Sequence, residues 1–299
     1  MNLPAPLRDE LVKNSISPNT RKSYAKHWQN FERFCEASGV EPMDADDNVV
    51  AGFALSLKHK SVATVSLSLA AVKFVFKLAG RNPVGPLSER VVAGLRRKGG
   101  RTSERSATAL EWESLSKVLF RMEPDTLVGM RDAAIFLVAS DAMLRRSEVS
   151  QLDVEDVEMM PRHAILRVRR SKTDQEGRGA VLYLGAPSRD ALLKYMDEAN
   201  IIEGPLFRPI YKNVSIERRL SPNSIGRIVK SRCEDAGFKG ASGHSLRIGS
   251  AVSLASRGAS VVEMQLAGRW KSPAMPAHYA SKQLAERGAM SKYRYGGEE

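Results

Sequence analysis

Gly243-His244-Ser245-Leu246-Arg247, a mostly apolar run after it, then Ala267-Gly268-Arg269-Trp270 and finally Tyr279 carry the fold and the chemistry of this chain. His244 and Arg247 stand three apart, so a helix through them presents both on one face. Trp270 brings an indole N–H, and Tyr279 lies nine residues beyond it. Phosphoryl transfer without a metal requires cations and hydrogen-bond donors converging on one phosphate, with a nucleophile close by.

Upstream, residues 130–142 are strongly apolar and predict a buried helix, and Leu144-Arg145-Arg146-Ser147-Glu148 follows almost directly. Adjacent arginines are ordinarily surface charge. These two abut a buried helix end, which suits a functional site. Alternation over 164–168 predicts a strand, 180–184 its partner, and 171–179 a long hairpin tip carrying Lys172. A lysine in such a tip is by itself a solvated charge. Beside the others it completes a set: Arg145, Lys172, His244, Arg247, Trp270 and Tyr279.

Composition narrows the partners. The 299 residues suffice for one large domain or two ordinary ones, and 42% hydrophobic with 27% charged residues is usual for a soluble globular protein. The net charge of +12, from 46 Lys+Arg against 34 Asp+Glu, favours a polyanion, either nucleic acid or an anionic membrane surface. No apolar run reaches the length of a bilayer span and residues 1–10 lack a signal-peptide core, so no membrane span and no signal peptide are expected. Cys35 and Cys233 are far apart, which excludes a disulfide framework and points to a reducing, intracellular compartment. The five histidines show no metal-ligand spacing, and no phosphate-cradling glycine loop is present; neither metal nor cofactor is expected.

Residues 1–95 read as all-helical. Ser17-Pro18 opens a helix with Tyr24, Trp28, Phe31, Phe34 and Cys35 at helical spacing and Gly39 as its stop. The aromatic stripe reads as core, with Arg21, Lys22, Lys26 and Arg33 on the opposite face. Further helices are expected over 47–58, after Ser61, and from Ser88. Residues 96–109 form a basic, glycine-containing linker in which Arg96, Arg97, Lys98 and Arg101 are placed to cross a phosphate backbone. In residues 110–299, helices are expected over 111–120, 188–200 and after Ser221-Pro222. The last of these carries Asn223, Arg227 and Lys230 on one face, opposite Ile225, Ile228, Val229 and Cys233. An amide and two cations in a row suit base edges or phosphates.

With Leu144-Arg145 and Glu148, a hairpin lysine, His244-x-x-Arg247, Trp270 and Tyr279 in this order, the chain resembles the tyrosine recombinase (phage integrase) family, in its Cre-like form with tryptophan at the fifth position. Two features depart from the family pattern: Met143 stands where glycine is common, and Arg146 replaces an apolar neighbour, leaving two candidates for the first arginine. The resemblance implies a mainly α fold with a small β-sheet. It also implies a helical core-binding domain over 1–95, a linker over 96–109, and a mixed α/β catalytic domain over 110–299 ending in a subunit-contact tail. It implies Tyr279 as nucleophile, Lys172 as general acid, and Glu148 as support for the arginine and histidine. The expected partners are double-stranded DNA and further copies of the chain, as a homo-tetramer on two DNA sites. The expected location is intracellular and DNA-associated, in cytoplasm or nucleoid, or in the nucleus of a eukaryotic host. A type IB topoisomerase-like nicking and resealing enzyme, or a non-catalytic DNA-binding protein of the same fold, are the alternatives.

Overall fold

The computed structural model describes residues 15–98, 107–169, 179–281, 285, 293 and 294. The chain falls into two compact units, Met1–Arg105 and Ser106–Glu299. Among the described residues no helix is long and apolar enough to cross a membrane.

The first unit contains α1 (Pro18–Ala37), α2 (Asp47–Ser56), α3 (Val62–Leu78) and α4 (Pro86–Lys98). Ser17 starts α1 by accepting the Thr20 N–H (3.2 Å), and Gly39, at φ +69°, turns the chain away after it. Phe31 and Cys35 on α1 are fully buried with Phe53 of α2 and Val65, Val72 and Phe76 of α3. The aromatic stripe therefore packs inward, with Phe31 edge-on to Phe53 at 5.1 Å. The basic residues Arg21, Lys22, Lys26 and Arg33 are exposed on the other side of α1. α4 begins at Pro86, two residues before the expected Ser88. Asp47 accepts the N–H groups of Gly85, Leu87 and Ser88, which caps the new helix from outside. Burial opposes ionisation of Asp47, but these bonds and the Ser88 hydroxyl outweigh it and hold the carboxyl down to about 2.

The second unit contains α5 (Trp112–Phe120), α6 (Leu127–Asp141), α7 (Arg146–Gln151), the strands β1 (Val157–Met159), β2 (Ala164–Val168) and β3 (Ala180–Leu184), and α8 (Ala186–Glu198). There follow the short strands β4 (Ile210–Tyr211) and β5 (Val214–Ser215), α9 (Pro222–Asp235), α10 (Ser245–Ser256), α11 (Val261–Gly268) and α12 (Ala274–Tyr279). β2 pairs antiparallel with β3 as expected, in a register that sets Leu166 opposite Leu182, and β1 adds a third strand that periodicity does not reveal. α8 starts two residues earlier than expected because Pro187 fits within its first turn.

α6 is the axis of this unit. Thr126 caps it by accepting the Gly129 N–H, and Leu127, Met130, Ala134, Ile135, Phe136 and Val138 are buried along it. α10 crosses it where Ser140 and Ser250 exchange hydrogen bonds (both 2.9 Å). On α10, Gly249 has no side chain for a reason: a Cβ there would lie 1.9 Å from the Leu110 carbonyl oxygen. Leu110 donates its N–H to Ser245 (3.0 Å), so the segment entering the unit is pinned to the start of α10.

Candidate active site

Three chain reversals converge on one point. At the end of α6 the backbone turns through Met143 in the left-handed region, φ +46°, into Arg145 and α7. α10 starts at Ser245, with His244 just before it rather than within the helix as expected. α11 ends in the left-handed Arg269, φ +54°, from which Trp270 and α12 follow.

Arg145 is tied down from behind. Glu148, buried on the first turn of α7, accepts the Arg145 backbone N–H (2.9 Å) and its Nη1 (2.7 Å). Arg146 is exposed and lies across two bare glycines. A Cβ on Gly226 of α9 would stand 3.4 Å from its Nη1, and one on Gly243 3.2 Å from its Cδ. Of the two arginines, Arg145 is thus the one bonded to Glu148, while Arg146 faces solvent beside α9.

Arg247 is only 5% exposed, deeper than a surface cation, and donates to the backbone carbonyls of Met143 and Gly268. Its guanidinium lies 4.5 Å from the centroid of the Trp270 ring. Burial first, then Arg145 and Arg269, bring its pKa down to about 10, so it stays charged at neutral pH. His244 is also shifted down, by burial first and then by Arg146, Arg247 and Arg145, with Glu148 opposing. The imidazole is therefore neutral near pH 7, with one N–H to donate.

Trp270 owes its position to Gly268, where any Cβ would stand 2.0 Å from the indole ring. Tyr279, the last residue of α12, has its ring 5.9 Å from that of Trp270 and joins a small apolar cluster with Met143, Ala251, Ala255, Met264 and Ala280. Pro276 is accommodated, buried, in the first turn of α12.

The structure thus brings Arg145, His244, Arg247, Trp270 and Tyr279 together. Lys172 and Arg101 lie outside the described residues, as do residues 99–106 of the linker and most of the tail, Gln283, Leu284, Ala289 and Met290 included. Asn223, Arg227 and Lys230 are exposed on one side of α9, opposite the buried Ile225, Val229 and Cys233. Arg96, Arg97 and Lys98, expected in the linker, instead form the exposed last turn of α4, because the helix that starts at Pro86 runs on through Lys98. One residue the motif reading leaves without a role is Arg269. Its Nη2 donates to Glu148 (2.8 Å) and to the Met143 carbonyl (3.3 Å). The only hint in the sequence was a cation directly beside Trp270.

Two guanidiniums, an imidazole, an indole and a phenol are thus gathered on the elements around the Met143 turn. Residues 108–286 match the Phage integrase family. The chain belongs to that family, the tyrosine recombinases. It is 30% identical to an integrase/recombinase XerD homologue of Selenomonas ruminantium, over 90% of this chain and 83% of the relative. It is 23% identical to recombinase Cre of Escherichia phage P1, over 97% and 95% of the two chains. Among solved structures, XerH site-specific recombinase bound to a palindromic difH substrate shares the fold, with a TM-score of 0.69 and 15% identity, over 92% of this chain and 79% of that one.

Proposed function

We propose that the chain is a site-specific DNA recombinase that cuts and rejoins duplex DNA through a 3′-phosphotyrosyl intermediate and a Holliday junction, as a homo-tetramer on two DNA sites. The observation that carries the proposal is the joining of Arg247, Trp270 and Tyr279 to the Arg145–Glu148 pair around the Met143 turn.

A phosphodiester repels a nucleophile, and its pentacoordinate state carries more negative charge. Arg145 and Arg247 supply two planar guanidiniums for the non-bridging oxygens, and His244 and the Trp270 indole add neutral donors. The Tyr279 phenolic oxygen attacks phosphorus and loses its proton to solvent; a P–O(Tyr) bond forms and the P–O5′ bond breaks. Lys172 gives its proton to the departing 5′ oxygen. The ester retains the bond energy, so a 5′-hydroxyl from a partner strand reverses the step and releases Tyr279. The basic excess, the exposed cations of α4 and the polar face of α9 support DNA as the substrate.

The test uses nicked duplexes built on sites selected from a random pool by binding. Release of a short fragment traps the covalent protein–DNA adduct, which is expected in EDTA and without nucleotide. Tyr279→Phe is expected to bind DNA and form none. Lys172→Ala is expected to slow cleavage of an ordinary 5′ oxygen and to recover with a bridging 5′ sulfur, which leaves without a proton. An adduct that persists in Tyr279→Phe would remove Tyr279 as nucleophile, and its absence from every high-affinity site would remove catalysis altogether.

A further inference from the structure

We infer that Arg269 is a positioning residue of the active site, a third arginine that keeps the two phosphate-directed arginines in register and leaves their charge available. This rests on the function proposed above and deepens it.

Three observations converge on Arg269. Its backbone adopts φ +54°, a conformation that disfavours every side chain with a Cβ and that glycine would take freely. Its guanidinium is largely buried, and Nε and Nη1 have no hydrogen-bond partner among the described residues. Both features cost stability, and a residue chosen for folding alone would carry neither. The third observation is what its remaining nitrogen touches. Nη2 donates to Glu148 Oε2 and to the Met143 carbonyl.

Those two acceptors belong to the two other arginines. Glu148 also holds Arg145 through its backbone N–H and Nη1. The Met143 carbonyl also accepts from Arg247, whose other nitrogen bonds the Gly268 carbonyl, next to Arg269 in the chain. Arg269 therefore closes a ring that joins Arg145 to Arg247 through one carboxylate and two carbonyls. Charge follows the same geometry. Glu148 is shared between Arg145 and Arg269, so its negative charge does not cancel Arg145 alone. Three guanidiniums against one carboxylate leave an excess of two positive charges at the site, and removal of Arg269 leaves one.

The test compares full-length wild type, Arg269→Gly, Arg269→Lys, Glu148→Gln and the Arg269→Gly/Glu148→Gln double variant on nicked DNA. Each is measured for affinity, melting temperature and single-turnover rate of adduct formation. Glycine suits φ +54°, so Arg269→Gly is expected to melt no lower than wild type and to bind DNA as well. Its adduct rate is expected to fall at least tenfold, with Arg269→Lys between the two. In the Glu148→Gln background the same substitution is expected to slow the rate by a smaller factor than in wild type, because the link to Arg145 through the carboxylate is already lost and only the Met143 carbonyl contact and the charge of Arg269 remain.

A wild type that forms no adduct overturns the proposed function itself, whatever the variants do. With an active wild type, a wild-type rate in Arg269→Gly overturns the inference. So does an undiminished effect in the Glu148→Gln background. A fall in melting temperature with a matching loss of DNA binding also overturns it, because Arg269 would then be structural only.

Discussion

The guanidinium of Arg247 stacks on the indole of Trp270, 4.5 Å from the ring centroid. The face of Trp270 covers a buried cation, and under the proposed function its N–H is a separate donor to the phosphate. Trp270→Phe keeps a face and loses the donor. We predict that it melts within a few degrees of wild type while adduct formation slows by roughly a hundredfold to a thousandfold, the scale for one lost donor to a developing oxyanion. Trp270→Ala removes both and is expected to lower the melting temperature as well, through the lost stacking and the cavity. An unchanged rate in Trp270→Phe would confine the indole to packing.

His244 offers a pH test with a defined sign. Its pKa lies below 6.5, through burial first and then through Arg146, Arg247 and Arg145, with Glu148 opposing. Between that value and 6.5 the unfolded chain binds more protons than the folded one. The contribution of His244 to stability is thus complete above 6.5 and is lost as the pH falls towards the folded value. Arg146→Gln removes the foremost cationic neighbour and is expected to move the His244 pKa up, still short of 6.5 because burial and two arginines remain. The pH at which acid destabilisation begins is then unchanged, but its extent shrinks. NMR titration of the His244 ring protons reads the shift directly. A downward or absent shift would take Arg146 out of the environment of His244.

Met143 occupies a left-handed turn with a side chain only 2% exposed, against Ala251, Ala255, Met264 and Ala280. Glycine there would release about 1 kcal/mol of backbone strain but forfeit about 2–5 kcal/mol of buried methionine. Met143→Gly is expected to be destabilised by about 1–4 kcal/mol, seen in denaturant unfolding. A more stable variant would show that the side chain adds no packing behind Tyr279.

The same position shows what was legible in the sequence and what was not. The departure from glycine at Met143 is visible in the motif, but its cost and its compensation depend on φ and on residues over a hundred positions away. β2 was legible because Arg167 and Arg169 interrupt an apolar run at alternate positions, and β3 as the apolar segment across the hairpin from it; the alternating burial along β3 shows only in the structure. The β4–β5 hairpin was not: its strands have two residues each, and of its turn residues Lys212 and Asn213, both at positive φ, only Asn213 is a usual turn former. The motif residues of the site were legible because their chemistry is bound to type and order. Arg269 was not, because its partner Glu148 lies 121 residues earlier and is reached only through a left-handed turn.

The two exposed basic surfaces should separate affinity from sequence preference. In the last turn of α4, Arg96, Arg97 and Lys98 are flexible cations at a helix C-terminus, where the carbonyl ends already favour positive charge. Long exposed cations at a helix end suit phosphates, and phosphate contacts carry no base code. Replacing all three with glutamine preserves helix propensity. It is expected to weaken binding to specific and random DNA alike and to reduce the slope of log affinity against log salt by up to about three units. On α9 the chemistry differs. Asn223 is a neutral amide one helical turn from Arg227, with Lys230 a further turn on and only a loose 3.8 Å pairing to Glu234. An amide can accept from and donate to one base edge at once, worth about 1–3 kcal/mol of discrimination. Asn223→Ala should therefore leave the salt slope unchanged, because no charge is removed, while narrowing the gap between selected and random sites by roughly tenfold. Binding measured over a salt series for both variants on both DNAs checks the contrast. A changed slope in Asn223→Ala, or an unchanged one in the triple glutamine variant, would break the assignment of the corresponding surface. Equal loss on selected and random DNA for Asn223→Ala would leave α9 as a backbone-contacting helix, and sequence preference would then have to come from other residues.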